Sequence, residues 1–222
     1  MQGIQQVDDR RKPWVAHAGR RIALIAGTLP GAHDDGHRLS MSLLKRFKGQ
    51  VLAKTDEAAN LSTTLLLDAV RSALSGVAGV EGWGLQFGVA NITEKCWRVW
   101  TVGLVYCAQW SPGEWKSVTE PQSAARQLRE QGGRDLTGLA DEIAVRDARL
   151  STTPEGIEYA EVARAPMTGV VLLGSVEAGL RLGAAAGDPG WSLMSATEVL
   201  DSRASLTAGS PLATLAALMD DG

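Results

Sequence analysis

Cysteine, histidine, tyrosine and phenylalanine are scarce in this sequence, and it has no long apolar run. The two cysteines, Cys96 and Cys107, are too few for a disulfide framework and have no neighbouring metal-ligating residues. No stretch approaches the roughly 18 consecutive apolar residues of a membrane span, and the N-terminal residues lack the apolar run of a signal peptide. We therefore expect a cytoplasmic protein with no membrane partner.

The charge of the chain also excludes a class of partner. The net charge is −3 and the basic residues are dispersed along the sequence. Such a chain lacks the basic patch that binds nucleic acid, so we expect no nucleic-acid partner. With 222 residues, 45% of them hydrophobic, the chain can bury a substantial core. This length favours a single domain over residues 1–222.

Tryptophan, by contrast, is abundant. The chain has seven tryptophans against two tyrosines and two phenylalanines, and four of the seven lie between residues 97 and 115. We expect this segment to be structurally central. Trp110 and Trp115 flank the turn sequence Ser-Pro-Gly-Glu, so their indoles could pair across adjacent strands. Because hairpin ends are often exposed and tryptophan is enriched at interfaces, these two residues are also our candidates for partner binding.

Local sequence patterns predict antiparallel strands and grouped helices. The apolar run at residues 21–26 predicts a buried strand that stops at Gly27, and alternating apolar residues over 85–101 predict a hairpin region. Asn60 and Ser62 are both possible N-caps of a following helix. The predicted helices lie near 36–47, 61–75, 123–133 and 195–207, and further strands near 158–162 and 170–173, with 212–219 a strand or a helix. This order favours an α+β fold.

Five blocks of the sequence resemble the metal-dependent protein phosphatase 2C family, the PPM-type serine/threonine phosphatases. They are residues 22–33 (IALIAGTLPGAH), 100–110 (WTVGLVYCAQW), 118–132 (VTEPQSAARQLREQG), 172–178 (LLGSVEA) and 209–218 (GSPLATLAAL). In order, they are similar to the family patterns A-D-G-M-G-G-H, V-G-D-S-R-A-Y-L, L-T-x-D-H-S, L-L-x-S-D-G-L and D-N-A-T-L-V-V-L. The resemblance covers nearly the whole chain. It implies an α-β-β-α sandwich of two antiparallel sheets flanked by helix pairs.

The acidic positions of that family are not kept in this chain. In the family, aspartates of the first, fourth and fifth blocks coordinate two divalent ions that activate water to attack a phosphoserine or phosphothreonine. The equivalent positions here are Gly27, Val176, Leu212 and Ala213, while Leu104 replaces the aspartate of the second block and Pro121 and Gln122 replace the Asp-His pair of the third. Hard divalent ions need several oxygen ligands, which apolar side chains do not offer. The resemblance therefore implies a degenerate site with no metal and no other cofactor.

A degenerate site favours a non-catalytic role. We expect a pseudophosphatase that acts as a scaffold or interaction module in a bacterial multiprotein system and docks a kinase, an ATPase or another subunit. Two alternatives stay open. One is an active phosphatase with a rewired site, which would use Asp8 or Asp9, aligned with the family's N-terminal N-E-D-R motif, together with Asp34 or Asp35. The other is a phosphopeptide reader that does not hydrolyse its ligand.

Overall fold

The computed structural model describes residues 2–6, 14–28, 36–57, 61–75, 85–111, 114–119, 121–132, 152–174 and 215–219. The strands within these ranges are β1 (Gln2–Gln6), β2 (Trp14–Ala18), β3 (Ile22–Thr28), β4 (Leu85–Ile92), β5 (Cys96–Val102), β6 (Tyr106–Ser111), β7 (Glu114–Thr119), β8 (Glu158–Ala163), β9 (Gly169–Leu173) and β10 (Leu215–Met219). The helices are α1 (Gly36–Glu57), α2 (Thr63–Leu74) and α3 (Ala124–Glu130), with a 3-10 turn at Pro154–Gly156.

The strands form two antiparallel sheets of five strands each. The first sheet has the order β2-β3-β4-β5-β8 and the second has the order β1-β10-β9-β6-β7. One apolar core lies between the two sheets, and another lies between the first sheet and the helices α1 and α2. The predicted α+β sandwich is therefore confirmed. The predicted helix at 195–207 lies outside the described residues, so the expected second helix pair is not tested.

Strand β3 shows why its sequence is continuously apolar. Leu24 and Ala26 point towards the helices, whereas Ala23 and Ile25 point towards the second sheet, and all four side chains are fully buried. A strand that is covered on both faces has no polar positions in its alternation. The predicted strand at 21–26 is confirmed, and it extends to Thr28.

The helix pair on the first sheet is fixed by side-chain capping. Ser62, one of the two predicted N-caps, accepts a hydrogen bond from the backbone N–H of Leu65 over 3.3 Å. At the other end of α2, Arg46 of α1 donates to the carbonyl oxygens of Ser72 and Ser75 over 3.1 and 3.3 Å. A guanidinium at a helix C-terminus satisfies carbonyls that have no partner within the helix. The helix α1 itself continues to Glu57, beyond the predicted end at residue 47.

Local patterns do not predict β1 and β2, and they leave the state of residues 212–219 open. β1 pairs with β10 near the other end of the chain, so its extended conformation depends on a distant partner. Of the two alternatives for residues 212–219, a strand or a helix, the structure shows a strand at Leu215–Met219. No described helix is long and apolar enough to cross a membrane.

The buried cysteine lies in the core between the sheets. Cys107 of β6 packs there among apolar residues, and burial raises the pKa of its thiol far above the ordinary value. The thiol therefore stays protonated at neutral pH, as expected of a small apolar strand residue.

Candidate functional site

One end of the sandwich brings together the blocks that resemble the phosphatase family. In the first sheet, Thr28 at the end of β3 pairs with Leu85 at the start of β4. The strand β5 ends beside them at Val102, and the chain then enters β6 of the second sheet at Tyr106. The turn between β5 and β6 therefore joins the two sheets at this end.

Four strands of the second sheet, β6, β9, β10 and β1, also begin or end at this end of the sandwich. Tyr106 pairs with Leu173 at the end of β9, Leu173 pairs with Leu215 at the start of β10, and Leu215 pairs with Gln6 at the end of β1. Strands of the fourth and fifth blocks thus meet those of the first and second. We call this end, formed by residues 27–28, 85–86, 103–105, 121–123 and 156, the site edge.

Gln86 is a buried polar side chain at the site edge, with 3% of its surface exposed. Its Nε2 donates to the carbonyl oxygen of Thr28 over 3.0 Å, and its Oε1 accepts from the backbone N–H of Leu104 over 3.0 Å. One carboxamide therefore connects the end of β3 to the turn between the sheets. Thr28 directly follows Gly27, so the amide lies between Gly27 and Leu104, the two positions that the resemblance aligns with family aspartates.

Gln122 fixes the other side of the same turn. Its Oε1 accepts from the backbone N–H of Gly103 over 2.7 Å, and its Nε2 donates to the carbonyl oxygen of Gly156 over 2.9 Å. Its own backbone N–H donates to the carbonyl oxygen of Gly103 over 2.9 Å. Gly103 has a φ of 79°, and an added Cβ would lie 3.0 Å from Cβ and Cγ of Gln86. Both the conformation and the space at this position require glycine.

The third block supplies the helix that follows the site edge. Ser123, which is buried, caps α3 by accepting a hydrogen bond from the backbone N–H of Arg126 over 3.2 Å. The predicted helix at 123–133 is confirmed in a shorter form, Ala124–Glu130. The Arg126 guanidinium pairs with Glu130 over 2.9 Å and with Glu158 at the start of β8. The pair with Glu158 connects the start of α3 to the first sheet.

Solved structures of PPM-type phosphatases are similar to this arrangement. The PPM Ser-Thr phosphatase MsPP from Mycobacterium smegmatis, in complex with cacodylate, has a TM-score of 0.66 at 18% identity, covering 100% of this chain and 99% of that chain. The catalytic domain of the phosphatase PstP, in complex with two manganese ions, has a TM-score of 0.68 at 15% identity over 99% of this chain and 96% of its own. A Stage II Sporulation E family protein from Thermanaerovibrio acidaminovorans has a TM-score of 0.60 at 16% identity over 93% of this chain and 100% of its own.

This chain has the PPM phosphatase fold. At these identities the similarity concerns the fold, and it does not extend to activity. No family model matches the sequence, and no curated protein matches it. The chemistry of the site must therefore be judged from the residues of this chain.

The described side chains at the site edge of this PPM fold do not fit divalent ions. Gly27 and Leu104 offer no side-chain oxygen, and the Gln86 carboxamide is engaged with backbone groups. Glu158, close to the edge in sequence, is paired with Arg126. Within the described ranges, no group of three or more Asp, Glu, His or Cys side chains could hold a metal.

The remaining predicted positions are not described. These are Val176, Leu212, Ala213, Asp8 and Asp9, which all lie outside the described residues. Their predicted roles, as degenerate metal positions and as residual acids, therefore stay predictions. The same holds for Asp34 and Asp35 of the rewired alternative.

The tryptophans of the predicted hairpin lie opposite each other. Trp110 of β6 pairs in register with Trp115 of β7, as expected. Trp110 is buried, with 7% of its surface exposed, and its indole N–H has no hydrogen-bond partner among the described residues. This burial favours packing within the PPM fold over direct contact with a partner. The partner-binding role of both residues stays a prediction, since the side chain of Trp115 is outside the description.

Tyr159, on β8, is an exposed aromatic residue that no motif of the sequence indicates. Its ring packs on the buried Trp100 with the ring centroids 5.3 Å apart, yet 48% of the residue is exposed. The Tyr159 hydroxyl donates to the Glu161 carboxylate, which also accepts from Arg98 over 3.2 Å. Alternation along β8, which is the edge strand of its sheet, is the signal that could have indicated this exposed face.

This contact predicts an unusual titration of Tyr159. Burial and then the hydrogen bond to Glu161 raise the pKa of Tyr159 to about 12. Folding therefore favours the neutral phenol. Its contribution to the free energy of unfolding is fully present below the pKa of the unfolded state, about 10, and is lost as the pH rises through about 12. We expect Glu161→Gln to lower the midpoint, measured by ultraviolet absorbance titration.

The variant Tyr159→Phe serves as the control for that titration, because the chain has two tyrosines and the difference spectrum isolates Tyr159. The hydrogen bond from Tyr159 also lowers the pKa of Glu161, so the contact weakens as the pH falls through the pKa of that carboxyl. An unchanged tyrosine midpoint in Glu161→Gln would show that the contact does not exist in solution.

Proposed function

We propose that this chain is a non-catalytic interaction module built on the PPM phosphatase fold. The observation that supports the proposal best lies at the site edge. There the first-block and second-block positions carry Gly27 and Leu104, and the backbone beside both is bonded to the neutral Gln86 carboxamide. A phosphatase that activates water through two divalent ions needs carboxylate ligands, and Gly27 offers none at the first-block position.

The sequence supports the same conclusion at the positions that are not described. Val176, Leu212 and Ala213 stand where the family has the aspartates of the fourth and fifth blocks. Clustered carboxylates without a cation would repel one another, so apolar replacements stabilise a domain that no longer binds one. We propose a single cytoplasmic domain that docks a kinase, an ATPase or another subunit of a bacterial multiprotein system.

Capture of a partner tests this proposal. The tagged chain, immobilised and exposed to an extract of the organism that encodes it, is expected to retain one protein in near-stoichiometric amount, identified by mass spectrometry. That protein is then purified and its affinity is measured. Trp115→Ala is expected to weaken binding by about 2 kcal/mol, roughly 30-fold, as interface hot spots do.

The neighbouring exposed residue Lys116 provides the matched control for that measurement. Lys116→Ala is expected to change the affinity by much less, because exposed charges at an interface rim contribute little. Retention that is abolished by free phosphopeptides would favour the phosphopeptide reader instead. If the chain retains nothing beyond what an unrelated tagged protein retains, the interaction module is contradicted.

A further inference from the structure

We propose that Gln86 and Gln122 close the site edge by a neutral hydrogen-bond network, so that the edge keeps its structure without a bound cation. We call this network the amide bridge, defined by both glutamine side chains and the backbone groups of Thr28, Gly103, Leu104 and Gly156. The inference rests on the proposed function, since it explains how a PPM fold with this edge keeps a defined surface. PstP, by comparison, has two manganese ions in its solved structure.

Five oxygen atoms of the amide bridge are already engaged in hydrogen bonds. Each accepts a hydrogen bond from a protein N–H: the carbonyl oxygens of Thr28, Gly103 and Gly156 and the side-chain oxygens of Gln86 and Gln122. Magnesium and manganese require several oxygen ligands at close range. A cation bound at these oxygens would compete with the N–H donors, and a donor that it displaced would lose its partner at a part-buried position.

The amide bridge also connects elements from separate parts of the chain. Gln86 spans β3, β4 and the turn after β5, while Gln122 spans that turn, the start of α3 and the 3-10 turn before β8. The turn is a covalent link between the two sheets at this end. The amide bridge therefore holds these segments together without a charged group. A carboxamide is suited to this because it both donates and accepts hydrogen bonds.

The wild-type protein gives the first test. We expect its unfolding midpoint to be the same in a chelator as in millimolar manganese chloride. We also expect slow hydrogen exchange at the backbone amides of Gly103 and Leu104, compared with Glu94 in the exposed turn between β4 and β5. A midpoint that rises with manganese, or exchange at Gly103 and Leu104 as fast as at Glu94, would overturn the inference.

Variants of Gln86 separate hydrogen bonding from simple packing. Gln86→Ala is expected to lower the unfolding midpoint by roughly 5–10 °C, because it leaves the part-buried Thr28 carbonyl and Leu104 N–H without their partner. Gln86→Glu has almost the same shape but replaces the donor that faces Thr28 with an oxygen, so we expect a loss of similar size. Full stability of Gln86→Glu would show that the side chain only fills space.

Local exchange in the variants gives the final discrimination. Gln86→Ala should speed exchange at Leu104, and Gln122→Ala should speed it at Gly103, while the control Gln127→Ala, on the exposed face of α3, should change neither. If both glutamine variants leave those amides protected, the amide bridge is contradicted. If a variant does not fold, the inference is still tested in the wild-type protein, by hydrogen exchange at Gly103 and Leu104 and by the unfolding midpoints with manganese and with chelator. These readouts involve no turnover, so they can fail separately from the proposed lack of catalysis.

Discussion

Gly88→Ala is expected to lower the free energy of unfolding by about 1–3 kcal/mol, through overpacking of the core between the sheets. Gly88 lies in the middle of β4. A Cβ added there would lie 2.7 Å from Cγ1 of Val105, 3.2 Å from Cδ2 of Leu172 and 3.4 Å from Cγ1 of Ile25. All three neighbours are buried and belong to the inter-sheet core. The sheets would have to separate, or these side chains would have to leave their preferred rotamers.

Gly49→Ala provides the matched control for that measurement. Gly49 lies in the exposed part of α1, and nothing lies within 4 Å of an added Cβ. Alanine favours the helix over glycine, so we expect this variant to be more stable than the wild type by about 0.5–1 kcal/mol. Denaturant unfolding of both variants gives the two values. If Gly88→Ala is as stable as the wild type, the sheets do not pack as closely as described.

The sequence predicts the elements whose stability is local or whose burial is complete. β3 is recognisable as a short apolar run that ends at a turn, β4 by the alternation of its apolar residues, and α2 because Ser62 begins a helical repeat. The helix α1 runs past its predicted end because Gly49 weakens a helix without ending it. β1 has a polar sequence and depends on pairing with β10, so its local pattern gives no signal.

The resemblance predicts positions of the candidate site, whose role as degenerate metal positions stays a prediction, and it predicts none of the interactions found there. The resemblance places Gly27 and Leu104 at equivalent sites, and the fold brings both to the site edge. The motifs indicate which carboxylates are missing, but they carry no information on the hydrogen bonds that take their place. Gln86 and Gln122 belong to no motif, and their role follows from hydrogen bonds between distant segments. A lone glutamine within the apolar strand β4 is the signal that could have indicated Gln86.

The tryptophan-rich segment shows the difference between composition and exposure. Its predicted structural importance is confirmed, because Trp97 and Trp100 are fully buried and Trp110 is nearly so. The sequence gives no measure of which side chain at a hairpin end is covered. Trp110 is covered, whereas Tyr159, on a strand with a less conspicuous sequence, is exposed.

Metal-dependent turnover tests the central claim most directly. The purified chain is assayed for phosphate release from p-nitrophenyl phosphate and from a phosphothreonine peptide with manganese, beside a manganese-bound phosphatase of the same fold. Enzymes commonly accelerate their reactions by about a millionfold or more, so a chain without the catalytic acids should be at least roughly 1,000-fold slower than that control. We predict no release above buffer containing manganese. Manganese-dependent release that is lost in Asp8→Asn or Asp9→Asn would contradict the account and establish the rewired phosphatase.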